Sequence, residues 1–266
     1  MRGAILGDII GSVFEAQPEV DINFEMNTPN IHFTDDTALT CATAEVLLEF
    51  PKPTSENFAE YYKAYYEVYP KLGYGKAFRT WASTPSHEKM TKLDSYGNGC
   101  IMRISPIGHT EKTIERTLLN VTKSIMYTHR HEESLMASNT IAAAIFYLRN
   151  GESKKYINDF IKRTSDYKWK TVNKKKISKL HMASCEACMP VILHSFFNGT
   201  SIEEVIRLAI SFGGDTDTNA AIAASLYEAK YPESVQPLWD ELDIDSKLNV
   251  HLLNVISRFK EKLQTN

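Results

Sequence analysis

The 266 residues carry 30 Lys and Arg against 33 Asp and Glu, a formal net charge of −3, with 43% hydrophobic and 24% charged residues. That balance is ordinary for a globular protein and gives no positive field, so a nucleic-acid partner is not expected. No apolar run approaches the ~18 residues of a membrane span, and four cysteines in so long a chain do not read as a disulfide framework. A cytoplasmic monomer is the expectation.

The opening stretch GAILGDIIGSVFEA (residues 3–16) lacks the basic leader and small-residue cleavage site of a signal peptide. Asp8, Gly11 and Glu15 are spaced i, i+3, i+7, which predicts one helical stripe. Both carboxylates interrupt an apolar segment, which points them at a polar cavity, and Gly11 permits close approach by another backbone or a ligand. After Thr34, helical spacing puts Leu39, Thr43, Val46, Leu47 and Phe50 on one stripe. The tyrosines of 61–70 read as a packed helix. Residues 69–108 are the least regular, with several Gly and Pro. Residues 136–151 predict a helix ended by Gly151, and 168–179 read as a basic surface loop. Ser201 with Glu204 three residues on predicts a capping box and a helix that stops at Gly213 and Gly214. After Asp217 the helical period returns, with Ala221, Ala224, Ser225 and Glu228 opposite an Ile222 and Leu226 face. No alternating strand, repeat or linker is found, so one all-α domain is expected over residues 1–266.

Two dense clusters stand immediately before helices: Thr34-Asp35-Asp36-Thr37 and Gly213-Gly214-Asp215-Thr216-Asp217-Thr218. Asp and Thr suit a helix N-terminus, and a single cluster would read as capping. A cap needs one side-chain oxygen, whereas each cluster offers two carboxylates that repel unless a cation or protons lie between them. Hard oxygen donors without His or Cys suit Mg²⁺, Mn²⁺ or Ca²⁺ rather than zinc.

At these residues the sequence resembles the ADP-ribosylglycohydrolase family. GDIIGSVFE resembles the family's opening motif, FTDDTALT its first metal motif and GGDTDTNAAIA its second. SYGNGCIMRISPIG (95–108) resembles its Gly-Asn-Gly motif with the following Met-Arg, THRHEES (128–134) its His-x-His segment, and SCEACMPVIL a Ser-Cys stretch of small bacterial members. The motifs run in the family's order over residues 3–228. Two places depart: Ser225 and Pro232 stand where glycines and a Tyr-Tyr-Gly ending are usual, and Glu132 where many members have Pro.

The resemblance implies an orthogonal multi-helix bundle with two Mg²⁺ or Mn²⁺ ions, and a hydrolase that splits the glycosidic bond between ADP-ribose and a protein or small-molecule acceptor. Thr34, Asp35 and Asp36 would hold one ion, with Asp217 bridging; Asp215, Asp217, Thr218 and Glu15 would hold the other. Asp8 would support these ligands from behind. Ser95, Tyr96, Gly97, Asn98, Gly99 and the turn of Gly213 and Gly214 would line the ADP-ribose groove, where backbone N–H groups can reach phosphate. His131 would lie near the ribose or its leaving group, and Glu15 and Asp36 are the candidate catalytic carboxylates. Two other readings compete. His131-x-Glu133 with Cys185-x-x-Cys188 mimics part of a zinc deaminase signature, but Ser184 stands where Pro is required and the α/β alternation is missing. A non-catalytic ADP-ribose-binding or structural family member would have lost metal ligands, and here every position is filled.

Overall fold

A computed structural model describes residues 1–84, 92–172 and 180–265. Within them the chain is 67% helical, without a strand. Two isolated bridges, Asp94 with His129 and Gly97 with Ser184, are the β-type pairings among the described residues. The basic Lys174, Lys175 and Lys176 lie outside the described residues.

The helices are α1 (Arg2–Gly11), α2 (Asp35–Glu49), α3 (Ser55–Val68), α4 (Lys76–Ala82), α5 (Ser105–Thr110), α6 (Ile114–Ile125), α7 (Glu132–Arg149), α8 (Lys154–Thr164), α9 (Cys185–Asn198), α10 (Ile202–Ser211), α11 (Thr216–Lys230), α12 (Val235–Glu241) and α13 (Val250–Gln264). Short 3₁₀ turns cover Ser12–Phe14 and Asn98–Cys100. Side-chain caps start many of them. Thr34, Thr54, Thr113, Ser153, Ser184, Ser201 and Asn249 each accept a backbone N–H of the first turn. At α10 the expected box is shifted by one residue. Ser201 accepts from Glu204 N, but the Glu204 carboxylate reaches back to Thr200, accepting its N–H at 2.8 Å.

Helix α11 is the hub. It packs on α1, α7, α9 and α10, and every residue from Thr216 to Ala229 is buried. The expected two-faced pattern is therefore absent; a helix enclosed on all sides is apolar or small all round. Its closest partner is α1, and glycine decides that approach. A Cβ on Gly3, Gly7 or Gly11 would fall 2.4–2.6 Å from the backbone of Ala224, Ala220 and Asp217 respectively. The four-residue spacing of these glycines makes one flat stripe along α1. Glu228 of α11 then closes the far end, accepting the backbone N–H groups of Arg2 and Gly3 at 3.0 and 2.9 Å. At the near end Thr216 Oγ1 donates to Gly11 O at 2.8 Å.

This packing ends α1 at Gly11, so Glu15 does not share a helical stripe with Asp8. The 3₁₀ turn intervenes, Glu15 is extended, and Ala16 takes a left-handed φ of 64°. The carboxylates of both still reach the same region, by a turn rather than a helical face. In the irregular region the structure contains α4, the 3₁₀ turn and α5, and Tyr62 and Tyr65 of α3 are buried as expected for a packed helix.

Candidate active site

The N-termini of α2 and α11 converge with the loop after α1. Asp35, Asp36, Asp215, Asp217, Thr218 and Glu15 line one side of a cavity of about 250 Å³. The far side is built by Gly73, Gly75, Lys76 and Phe78 around the start of α4, and by Ser95, Gly97, Asn98, Gly99, Arg103 and His129.

The carboxylates carry an unresolved electrostatic load. Burial pushes the Asp36 and Asp217 carboxyls well above the usual range, and neighbouring aspartates raise them further: Asp8, Asp35 and Asp215 around Asp36, Asp215 and Asp36 around Asp217. Asp35 is pushed up to about 7 by desolvation and by Asp8, Asp215 and Glu15. Glu15, exposed at the mouth, is raised by partial desolvation and by Asp215 and Asp8. None of these five carboxylates takes part in an ion pair among the described residues. Asp36 Oδ2 is buried with no hydrogen-bond partner among the described residues.

Asp8 differs. It is fully buried, but its two oxygens accept three hydrogen bonds, from Thr34 Oγ1 at 2.6 Å, Thr34 N at 3.0 Å and Thr37 N at 3.1 Å. Burial raises its carboxyl and these donors oppose the rise. Asp8 thus anchors the start of α2 from α1, as support for the cluster. Thr34 is the α2 cap; its Oγ1 donates to Asp8 and accepts from Asp36 N.

The glycine turns act differently from the expectation. Gly213 and Gly214 take φ values of 69° and 77°, open to glycine at little cost. Their N–H groups donate to Ile210 O and Gln17 O, and Gly214 O accepts from Ala16 N. Neither glycine lines the cavity, so this turn offers no donor to a phosphate. It fastens the loop after α1 to the start of α11, which brings Glu15 beside Asp215. On the opposite wall, Gly97 N donates to Ser95 Oγ and Asn98 N to Ala183 O. Asn98 Nδ2 donates to Asp215 Oδ2 at 2.9 Å and to Cys188 Sγ at 3.1 Å. Asn98 lines the cavity with its amide nitrogen committed to an acidic residue and a thiol.

His131 does not line the cavity. It caps α7, its Nδ1 accepting from Glu133 N, and packs edge-on to the exposed ring of Tyr96 at 6.0 Å. Tyr96 borders a shallower extension lined by Ala77, Leu93, Asp94 and His181. The histidine on the cavity wall is His129, whose ring edge lies against the 97–99 turn: a Cβ on Gly99 would sit 3.2 Å from His129 Cε1. A His-x-His pattern does not say which ring faces inward; the cap geometry of α7 decides it. Residue type alone also did not single out Lys76, Arg103 or the Gly73-Tyr74-Gly75 turn, where a Cβ on Gly73 would lie 3.1 Å from Asp35 Oδ1. The two closely spaced glycines before a lysine were the available signal. Cys185 and Cys188 are buried at the start of α9, and among the described residues no three His, Cys, Asp or Glu side chains form a ready-made metal cage. The helical fold and these buried thiols remove the zinc deaminase reading.

An all-helical fold with a cleft flanked by aspartates from two helix starts defines the class: the chain belongs to the ADP-ribosylglycohydrolase family, whose model matches residues 1–250. That family comprises glycosidic-bond hydrolases acting on ADP-ribose linkages. The chain is 24% identical to ADP-ribosylhydrolase ARH3 of Xenopus tropicalis, over 90% of this chain and 87% of that protein. It is 24% identical to the putative ADP-ribosyl glycohydrolase L543 of Acanthamoeba polyphaga mimivirus, over 93% and 89%. ADP-ribosylarginine hydrolase Tri1 of Serratia proteamaculans is 22% identical, over 88% of this chain and 71% of that protein. Among solved structures, an ADP-ribosylglycohydrolase-related protein complex superposes with a TM-score of 0.69 at 21% identity, covering 98% of this chain and 93% of the other.

Proposed function

We propose that this chain hydrolyses the N- or O-glycosidic bond that joins ADP-ribose to a protein side chain or small-molecule acceptor, with two divalent cations, Mg²⁺ or Mn²⁺, in the acidic cleft. The observation that carries the metal is the charge at the site. Four aspartates and Glu15 gather without a cationic partner among the described residues, and Asp36 Oδ2 is buried and unpartnered. Oxygen-only donors fit a hard cation, and a cation would lower every carboxyl that repulsion now raises. Thr34, Asp35 and Asp36 would hold one ion, Asp215, Thr218 and Glu15 the other, with Asp217 shared. Bound cations supply charge stabilisation and a more acidic water.

The remaining work falls to the chain's own groups. Glycosidic cleavage passes through an oxocarbenium-like state, which a nearby carboxylate stabilises, and a carboxylate also takes a proton from the attacking water. Glu15 suits the proton transfer, because it stands exposed at the mouth of the cleft, where water and substrate can reach its carboxylate. Asp36 is enclosed and suits ligation. Asn98 holds Asp215 at a fixed angle, and Asp8 fixes the α2 start. The wall of Ser95, Gly97 and Gly99 with Phe78 and Lys76 provides the room and the cationic charge for an ADP-ribose diphosphate.

A panel of defined ADP-ribose linkages, to arginine, serine, a base and a polymer, assayed with and without Mg²⁺, tests this. Release of free ADP-ribose from at least one linkage, lost on chelation, is expected. Tight ADP-ribose binding without hydrolysis of any linkage would instead indicate a non-catalytic reader.

A further inference from the structure

In the cavity wall lies a chain of three buried polar side chains, Arg103, Thr128 and His129. Arg103 is fully buried, and its Nη2 donates to Thr128 Oγ1 at 2.6 Å. Among the described residues its Nε and Nη1 have no hydrogen-bond partner and no carboxylate pairs with it. The guanidinium carbon instead sits 4.1 Å from the centre of the Tyr62 ring. Thr128 Oγ1 lies 2.9 Å from His129 Nδ1. The other edge of that imidazole lies against the 97–99 turn of the cavity wall, where a Cβ on Gly99 would come within 3.3 Å of Nε2.

Proton bookkeeping along this chain leaves one arrangement. A guanidinium has only donors, so the Thr128 oxygen receives the Nη2 hydrogen. Among the described residues, the threonine hydrogen then has one hydrogen-bonded neighbour able to accept it, the Nδ1 lone pair of His129. If Nδ1 carried the proton and donated to Thr128, the hydroxyl hydrogen would be buried without an acceptor, which is costly. We propose that Arg103 and Thr128 are positioning residues that hold His129 as the neutral Nε2–H tautomer, presenting one N–H from the cleft wall to an oxygen of the substrate. The substrate half of this rests on the ADP-ribosyl hydrolase reading; the tautomer does not. Burial first, and the Arg103 charge second, hold the imidazole well below its ordinary range, so the doubly protonated form is disfavoured. A permanent cation two bonds of hydrogen-bonding away thus keeps a histidine uncharged and aimed.

Long-range ¹H–¹⁵N correlation spectra of histidine-labelled full-length protein test the assignment directly, with His129→Gln identifying the signal among the eight histidines. The pattern of a neutral Nε2–H ring, unchanged from pH 6 to pH 8, is expected in the wild type. An Nδ1–H pattern or a cationic ring at pH 7 overturns the proposal. Thr128→Val removes the hydroxyl at nearly constant volume; the Nε2–H pattern should be lost and kcat/KM should fall by roughly 10-fold or more, as when a group that orients an imidazole is removed. Thr128→Ser should restore both. A valine variant that keeps the wild-type pattern and activity also overturns it. The wild-type spectrum decides the tautomer even if the valine chain fails to fold. An Nε2–H spectrum in a protein inactive on every ADP-ribose linkage would sustain the tautomer and refute the proposed reaction.

Discussion

Asp8 and Asp217 are both buried aspartates of the same cleft, yet removing their charge should have opposite effects. Asp8 is satisfied: three donors meet its two oxygens. In Asp8→Asn an amide NH₂ must face at least one of those N–H or O–H donors, leaving a buried donor unpaired. Such losses cost about 1–3 kcal/mol, so a urea melt should show a clear drop in stability even without metal. Asp217 is crowded by Asp215 and Asp36. Asp217→Ala should leave the metal-free melt equal or higher, because a carboxyl that burial and neighbouring aspartates disfavour is gone. Activity should fall by about 100-fold or more, as expected for a group that holds a metal. The wild type should gain about 2.7 kcal/mol from Mg²⁺ at a hundredfold excess over Kd, and the variant should lose most of that gain. A mutant that gains as much from Mg²⁺ as the wild type does would remove Asp217 from the metal site.

At the level of elements, the join of α1 to α11 positions the whole cleft, since α1 carries Asp8 and leads to Glu15 while α11 begins with Thr216 and Asp217. Gly7→Ala places a Cβ 2.4 Å from the Ala220 backbone, which has no flexible end to move aside. Overpacking of this kind costs about 1–3 kcal/mol, and activity should fall with stability as the two helices separate. Gly75→Ala is the contrast: it lines the cleft, but nothing lies within 4 Å of its would-be Cβ. Its thermal melt should shift by no more than about 0.5 kcal/mol. The helices themselves were legible in the sequence wherever a cap or a stop marked them, as at Thr34, Ser201, Gly151 and Gly213. The glycine stripe was not, because its meaning depends on which helix lies opposite; Gly11 alone was read, and its two companions look like ordinary poor helix formers. The same limit applies in the cleft. The acidic residues stand out by composition, but whether the N–H groups of Gly213 and Gly214 are free, and which of His129 and His131 faces inward, is settled by Ile210 O, Gln17 O and the start of α7.

For the molecule as a whole, the raised carboxyls make stability depend on pH. The folded state holds protons on Asp35, Asp36, Asp217 and Glu15 that the unfolded chain releases near pH 3.9–4.3. A raised acid contributes its full stability below its unfolded pKa and loses it as pH climbs through its folded pKa. For Asp35 that window closes near pH 7. The metal-free protein should therefore melt at progressively lower temperature from about pH 4 to pH 7 on account of this cluster. Saturating Mg²⁺ should flatten the slope, since cation binding displaces the same protons. Calorimetric scans across that range, with and without Mg²⁺, check it; parallel curves would mean that the cluster does not bind the cation.

The contact between Gly11 and Thr216 joins residues 205 positions apart. On a ribosome adding about 5–20 residues per second, the opening helix is made roughly 10–40 seconds before the helix that covers it. Throughout that interval Ile5, Leu6, Ile9 and Ile10, all fully enclosed in the finished protein, have no native neighbour from the hub. The chain therefore exposes this apolar segment well before its cover is made, a sequence of events that favours chaperone capture of the nascent protein. It also means that a nascent chain halted before residue 216 holds Asp8, Asp35 and Asp36 but has no cleft for them to line.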